Sequence, residues 1–253
     1  MKPPVLVLHV RGTNRDRDVA WACELAGGAP EIVHVNQLAA GERRLSDYRM
    51  LVLPGGFSYG DDLGAGRIWA TILRHALGDD LRAFVDAGRP VIGICNGFQA
   101  LVKSGVLPDG EVEATLTRNA SNRFECRWVE LAPQPESPCV FTRGLDAPIH
   151  CPVAHGEGRF VARDAEVFGR LEAAGQIALR YSGPGGAAAE YPWNPNGSAG
   201  HVAGICNARG NVLGLMPHPE DHVIAAQGRA SGFDAPGLGL PLFTNGLRYA
   251  AEA

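Results

Sequence analysis

Cys95, His218 and Glu220 are the residues whose types and spacing best suit chemistry. Cys95 stands in Gly93-Ile94-Cys95-Asn96-Gly97. This is a G-x-nucleophile-x-G pattern, in which a strand turns sharply into a helix and glycines occupy positions where side chains would collide. A thiol gains twice at such a corner. The amino end of the following helix carries partial positive charge, which favours thiolate over thiol. Its free amides, that of Asn96 among them, can hold a developing oxyanion. The competing reading is a small buried cysteine at a tight turn, but strand, turn and helix signals agree around it.

A thiol nucleophile needs a base and a group to orient that base. His218 follows a strand end and lies between Pro217 and Pro219. Glu220, two residues on, can bond the far imidazole nitrogen and hold the tautomer. On its own His-Pro-Glu is a weak signal; beside a nucleophile elbow it is a strong one. Seven other histidines compete, and His155, with Glu157 two residues on, is the most serious rival. Pro54-Gly55-Gly56-Phe57 ends another apolar run, where its glycines let backbone amides face a bound carbonyl as the second oxyanion donor. A phosphate loop is the alternative. "GGFSYGDDLGAG" lacks both the G-K-[ST] ending and the G-x-G-x-x-G spacing of such loops.

The elements that must carry these residues follow from hydrophobic periodicity. Val5 to Val10, 31 to 35, Met50 to Leu53 and Val91 to Ile94 read as buried strands, and 16 to 26 and 67 to 87 as helices. A short helix after Cys95 ends at Gly105. Near-continuous apolar strands alternating with helices point to a parallel sheet covered on both faces, with functional loops at the strands' carboxyl ends. The second half reads less regularly. Strands are expected at 126 to 131, 149 to 154, 177 to 181, 201 to 206 and 211 to 216, a Gly/Pro/Asn-rich loop at 183 to 200, and a last helix at 239 to 251. No repeat or linker divides the chain, so residues 1–253 read as one domain.

Composition narrows the class. With 253 residues, 45% hydrophobic and 20% charged, the chain fits a globular protein with a sizeable core. A net charge of −4 argues against nucleic acid as a partner. No long apolar run and no signal-like amino terminus is visible, so no membrane association and a cytoplasmic location are expected. The six cysteines form no C-x-x-C pair, which points to reduced thiols, the five other than Cys95 being small core residues.

An elbow cysteine, a Gly-Gly loop one strand earlier and a later His-Pro-Glu resemble class I, triad-type glutamine amidotransferases. "GTNRD", "PGGFSYGDDLGAG", "GICNGFQAL", "SNRFECRWVEL", "PVAHGEGRF", "NPNGS" and "GNVLGLMPHPE" are similar, in order, to the glutaminase subunit of phosphoribosylformylglycinamidine synthase. The resemblance spans residues 12 to 220. It implies an α/β fold with a largely parallel central sheet flanked by helices, of flavodoxin-like class I amidotransferase architecture. It also implies glutamine hydrolysis through a cysteinyl thioester in purine biosynthesis. The ammonia would pass to a separate ATP-using synthetase subunit that makes formylglycinamidine ribonucleotide, with a small subunit bridging the two. Cys95 falls at the nucleophile, His218 at the base and Glu220 at the orienter. Gly55, Gly56, Phe57 and Asn96 fall at the oxyanion side of the pocket. Gln99, His155, Gly156 and Glu157 fall near the bound glutamine. No metal or organic cofactor is implied for this chain; ATP and Mg belong to the partner.

The chain departs from the family's pattern at four places. Arg15 stands where cysteine is common, Asp62 and Gly64 where tyrosine and arginine are common, and Asp221 where an arginine usually follows His-Pro-Glu. Gly64 and Asp221 each remove positive charge, so the partner surface or local ion pairs are expected to differ. Three other readings stay open: a glutaminase for another synthetase, a catalytically inactive binding subunit, and a cysteine hydrolase related to intracellular peptidases. The last places a histidine directly after the elbow cysteine, where this chain has Asn96.

Overall fold

A computed structural model describes residues 2–109, 113–187, 189–228 and 238–252. The chain begins with β1 (Pro4–His9), α1 (Asp16–Leu25), β2 (Ala29–His34), a short α2 (Val35–Ala39) and β3 (Met50–Leu53). Helices α3 (Arg67–His75) and α4 (Gly78–Asp86) follow, then β4 (Val91–Ile94) and α5 (Asn96–Ser104). The second half holds β5 (Ala114–Thr117), β6 (Glu125–Pro133), β7 (Ile149–His155), β8 (Arg159–Ala162), α6 (Ala165–Ala173) and β9 (Ile177–Ser182). It closes with β10 (Val202–Cys206), β11 (Val212–Leu215), a short α7 (Ala225–Gly228) and α8 (Leu240–Glu252).

Among the described residues nine strands form one sheet in the order β2-β1-β3-β4-β11-β10-β9-β6-β7. The first five pair in parallel and the rest antiparallel. The parallel 2-1-3-4 run, closed by β11, is the flavodoxin-like order. Continuous apolar runs fall in the parallel part and alternation in β7, while β2 is parallel yet partly exposed and β10 antiparallel yet buried throughout. β3 and β4 are buried at every residue, whereas β7 alternates strictly.

Helices cover both faces of the parallel part. Met50 meets α8 at Gly246, while Leu53, three residues on and therefore on the opposite face, meets α5 at Gly97. A two-stranded sheet of β5 and β8 lies apart from the main one.

The helix expected over 67 to 87 is two helices. α3 ends with Arg74 and His75 in its last turn, and α4 begins at Gly78 with Asp79 and Asp80 in its first. Those charges suit a carboxyl end followed by an amino end, and they override the apolar period that runs through both. Val35 is not the end of a strand but the start of α2. The His34 side chain accepts from the Asn36 amide, and the Gln37 side chain accepts from the His34 amide. His201 lies outside β10 and carries a φ of 59°. β5, β8 and α6 were not expected. Asp164 caps α6, its carboxylate accepting from the Val167 amide at 2.8 Å. All six cysteines are free. Cys23, Cys139, Cys151 and Cys206 are buried as expected, but Cys126 is exposed, because its position in β6 points away from the core.

Candidate active site

Strand register brings the nucleophile corner to the histidine. β11 runs parallel beside β4, with Ile94 opposite Leu215 and Gly93 opposite Gly214. Both strands end at the same carboxyl edge, and the Cys95 amide donates to Leu215 O at 2.8 Å. Met216-Pro217-His218 therefore leaves the sheet beside Cys95. The His218 amide then donates to Pro152 O of β7 at 2.8 Å, which fixes the turn.

The paired glycines let α5 sit close to the sheet. A Cβ on Gly93 would lie 2.5 Å from Leu101 Cδ1, and one on Gly214 would lie 2.0 Å from Phe98 Cδ2. On Gly97 it would lie 2.0 Å from Leu53 O. With α5 pulled down in this way the chain turns within one residue, and Cys95 takes φ 50° and ψ −105°. That backbone is strained for a non-glycine residue. Its Sγ lies 3.9 Å from Ala154 O.

His218 is buried and feels the Cys95 sulfur on one side. On the other, its Nδ1 lies 2.7 Å from Glu220 Oε1. Burial opposes charge on this imidazole, but the Glu220 carboxylate and the Cys95 sulfur outweigh it and push the pKa up to about 10. Glu220 is fully buried. The rival His155 is buried too, and its environment acts in the opposite sense: burial, with His218 as a like charge nearby, pushes its pKa down to about 3. Its Nδ1 lies 3.1 Å from Asn119 Oδ1, which also accepts from the Gly158 amide. Among the described residues no carboxylate holds it; Glu157 turns instead to the Ala65 amide at 3.3 Å and to Lys103 at 3.8 Å.

A cavity of about 200 Å³ opens beside Cys95, lined by Gly56, Phe57, Asp61, Gln99, His155 and Glu157 among others. Gly156 also lines it, as do Ala65, Phe124 and Ala154. Two of the expected residues act from beneath. A Cβ on Gly55 would lie 2.7 Å from His218 Cε1, so this glycine is the seat of the imidazole. The Asn96 side chain accepts from the Ser58 amide at 3.0 Å and donates to Asp61 Oδ1 at 3.1 Å and Gln99 Oε1 at 2.9 Å. Gln99 Nε2 in turn donates to Glu157 O at 2.5 Å. The network ties the glycine loop, the elbow helix and the turn after β7 into one pocket wall.

Gly56 has φ 149°, and a Cβ there would lie 2.7 Å from Gly12 O. Among the described residues no acceptor takes its amide. Asn96 is the first residue of α5, where amides lack intrahelical acceptors. The Phe57 amide is not a second donor of this kind, since it donates to Gly12 O at 2.9 Å. Phe57 contributes an exposed ring at the rim. Asp61, Ala65, Phe124 and Ala154 were missed. Asp61 carries the clearest signal, a left-handed φ of 53° inside the glycine-rich loop and a carboxyl held above its usual range by burial.

The family model for the CobB/CobQ-like glutamine amidotransferase domain matches residues 2–250. The chain belongs to this family of glutamine amidotransferases. Its relatives include the phosphoribosylformylglycinamidine synthase subunit PurQ of Treponema denticola, 54% identical over 88% of this chain and 90% of the relative. The PurQ subunit of Dehalococcoides mccartyi is 44% identical over 99% of each. Among solved structures, PurLQS from Thermotoga maritima superposes with a TM-score of 0.76 at 33% identity, covering 98% of this chain and 99% of that one. The expected fold and family agree with these matches. No helix among the described residues is long and apolar enough to cross a membrane.

Proposed function

We propose that this chain is the glutaminase subunit of a phosphoribosylformylglycinamidine synthase, with Cys95, His218 and Glu220 as its catalytic triad. It releases ammonia from glutamine for a synthetase subunit that makes formylglycinamidine ribonucleotide in purine biosynthesis. The observation that carries the assignment of residues is the meeting of a strained elbow cysteine with a buried imidazole held at 2.7 Å by a buried carboxylate. The PurQ relatives and the PurLQS match support the pathway and the partners. A small bridging subunit completes the assembly.

The chemistry uses groups of this chain alone. The Cys95 sulfur attacks the carboxamide carbon of glutamine, and the amides of Gly56 and Asn96 receive the developing oxyanion. His218 holds the thiol proton, its imidazolium stabilised by Glu220, and delivers it to the departing nitrogen as ammonia leaves. A glutamyl thioester remains. Water, deprotonated by the same imidazole, cleaves it to glutamate and restores the thiol. None of these steps needs a metal or organic cofactor; ATP and Mg act on the partner. A cytoplasmic location accords with reduced thiols and a soluble nucleotide pathway.

The test is a Cys95→Ala protein assembled with its synthetase partner. Formation of formylglycinamidine ribonucleotide from glutamine should be lost. Formation from added ammonium should persist, because external ammonia bypasses the thioester. Loss of both activities in an intact complex would place acceptor chemistry on this chain and refute the reading; loss of neither would remove Cys95 as nucleophile.

A further inference from the structure

Two of the positions that depart from the family pattern face one another beside the triad. Arg15 is the last residue before α1, and its guanidinium meets three carboxylates, one at each nitrogen. Nη2 pairs with Asp221 Oδ1, Nη1 lies 3.4 Å from Asp18 Oδ2, and Nε lies 3.9 Å from Glu220 Oε1. The Arg15 amide donates to Gly55 O at 3.3 Å, and its Cγ would be 3.3 Å from a Cβ on Gly55. One residue thus touches the loop under the His218 ring and the carboxylate behind that ring.

Glu220 has little else to hold it. Its Oε1 faces His218, and its Oε2 is buried with no hydrogen-bond partner among the described residues. Arg15 Nε is likewise buried without one. Among the described residues the ion pairs of Glu220 are with His218 and Arg15 alone. A buried carboxylate with a single firm bond keeps charge that is poorly compensated, which a fixed cation facing it offsets. Arg15 supplies that charge from a backbone anchored on Gly55, and Asp18 and Asp221 fix its planar fork.

We propose that Arg15 is a positioning residue that holds the Glu220 carboxylate in the orientation that addresses His218 Nδ1. The inference rests on the reading of His218 and Glu220 as base and orienter. Arg15 does not line the glutamine cavity, so its removal acts on turnover and not on substrate binding.

The experiment compares Arg15→Ala, Arg15→Lys, Glu220→Gln and the Arg15→Ala/Glu220→Gln double variant in the assembled complex, with glutamine and with ammonium as nitrogen source. Arg15→Ala should lower kcat with glutamine about 10- to 100-fold, the scale set by small misplacements of a catalytic group. KM for glutamine should stay within about twofold, the mark of an interaction made in turnover alone. Ammonium-dependent synthesis should be unchanged. Arg15→Lys should recover part of the loss, since it restores the charge but not the fork. In the Glu220→Gln background, removing Arg15 should cost little more, because it acts through that carboxylate. Full multiplicative loss in the double variant would overturn the inference, as would an unchanged kcat in Arg15→Ala or a parallel fall in ammonium-dependent synthesis. If Glu220→Gln itself retained full turnover, the reading of the dyad would fall, and the inference with it.

Discussion

A methyl group at Gly55 probes the proposed triad without replacing any of its members. Gly55 does not lie in the left-handed region, so alanine is conformationally allowed there. The new Cβ would lie 2.7 Å from His218 Cε1 and 3.3 Å from Arg15 Cγ. Ordinary van der Waals contact begins at 3.4 Å, so the ring must retreat by roughly 0.7 Å. It cannot do so freely, because Glu220 holds Nδ1 at 2.7 Å and the backbone is bonded to Pro152 O. A displacement of this size at a proton-transfer group costs on the order of 10²-fold in kcat. Overpacking of about 1–3 kcal/mol would lower Tm by about 2–12 °C in a chain of this length and leave it folded at assay temperature. The assay is glutamate release by the assembled Gly55→Ala complex, with thermal unfolding of the isolated chain alongside. Gly169→Ala is the control of opposite sign: nothing lies within 4 Å of its added Cβ, in the interior of α6. It should keep full activity and gain roughly 0.5–1 kcal/mol. A Gly55→Ala kcat within about twofold of the parent would refute the argument that this glycine seats the imidazole.

Three further outcomes are expected. A glutamine-like electrophile should label Cys95 and leave Cys126 unmodified although it is the exposed thiol; adducts mainly at Cys126 would show that exposure and not the elbow governs reactivity. Glu220→Gln keeps the size of the side chain but removes the charge behind His218, and should lower glutamine turnover by up to about 10⁴-fold, the loss seen when a serine-protease triad loses its orienting carboxylate; unchanged turnover would redirect attention to His155 and Glu157. The histidines also predict a stability maximum near the ordinary histidine pKa of 6.5. His218, raised to about 10, contributes stability present below pH 6.5 and lost as pH climbs toward 10. His155, lowered to about 3, stays neutral while the unfolded chain takes up a proton, so stability also falls from pH 6.5 toward 3. Denaturation midpoints that kept rising between about pH 7 and 9 would contradict the His218 assignment.

The parallel half of the fold was legible because β1, β3, β4 and β11 are largely buried and read as apolar runs, β2 at the sheet edge being the exception. Val91 to Ile94 is the clearest case, a run that ends where the elbow begins. What the apolar period concealed was the break within 67 to 87. Leu73, Leu77 and Leu81 keep a helical spacing straight across the junction of α3 and α4, and only the reversal from Arg74 and His75 to Asp79 and Asp80 marks it. The antiparallel half was found as strands but not as a pairing, because β6, β7 and β9 are joined through long connections and their order in the sheet follows from no local pattern. β5 and β8 were missed for a related reason: each is four residues long, and their partners lie far apart in sequence, as Ala114 shows against Ala162 and Thr117 against Arg159.

The site was legible to a different degree at each level. Cys95, His218 and Glu220 declare themselves through local stereochemistry, a tight corner for one and a proline-stiffened turn for the others. Their meeting is a long-range fact: 123 residues separate Cys95 from His218, and the β4–β11 register places their two loops side by side. That register is favoured by a pair of glycines, Gly93 and Gly214, which sit opposite one another and admit Leu101 and Phe98 of α5. A shift by one residue would put Ile92 or Ile94 opposite Gly214 and turn a side chain toward the seat of the elbow helix. The glycine before the nucleophile thus has two tasks, and only the first shows in the motif. It clears the corner for Cys95, and with its partner across the strands it selects the one alignment that delivers His218. A Gly214→Ala change should therefore damage the site as severely as Gly93→Ala, although residue 214 is no part of the nucleophile elbow: its Cβ would meet the Phe98 ring at 2.0 Å and lift α5 from the sheet. Glutamine turnover and urea unfolding of the two variants would decide it, and a Gly214→Ala protein with full activity and unchanged stability would show that the seat of α5 tolerates side chains and does not select the register.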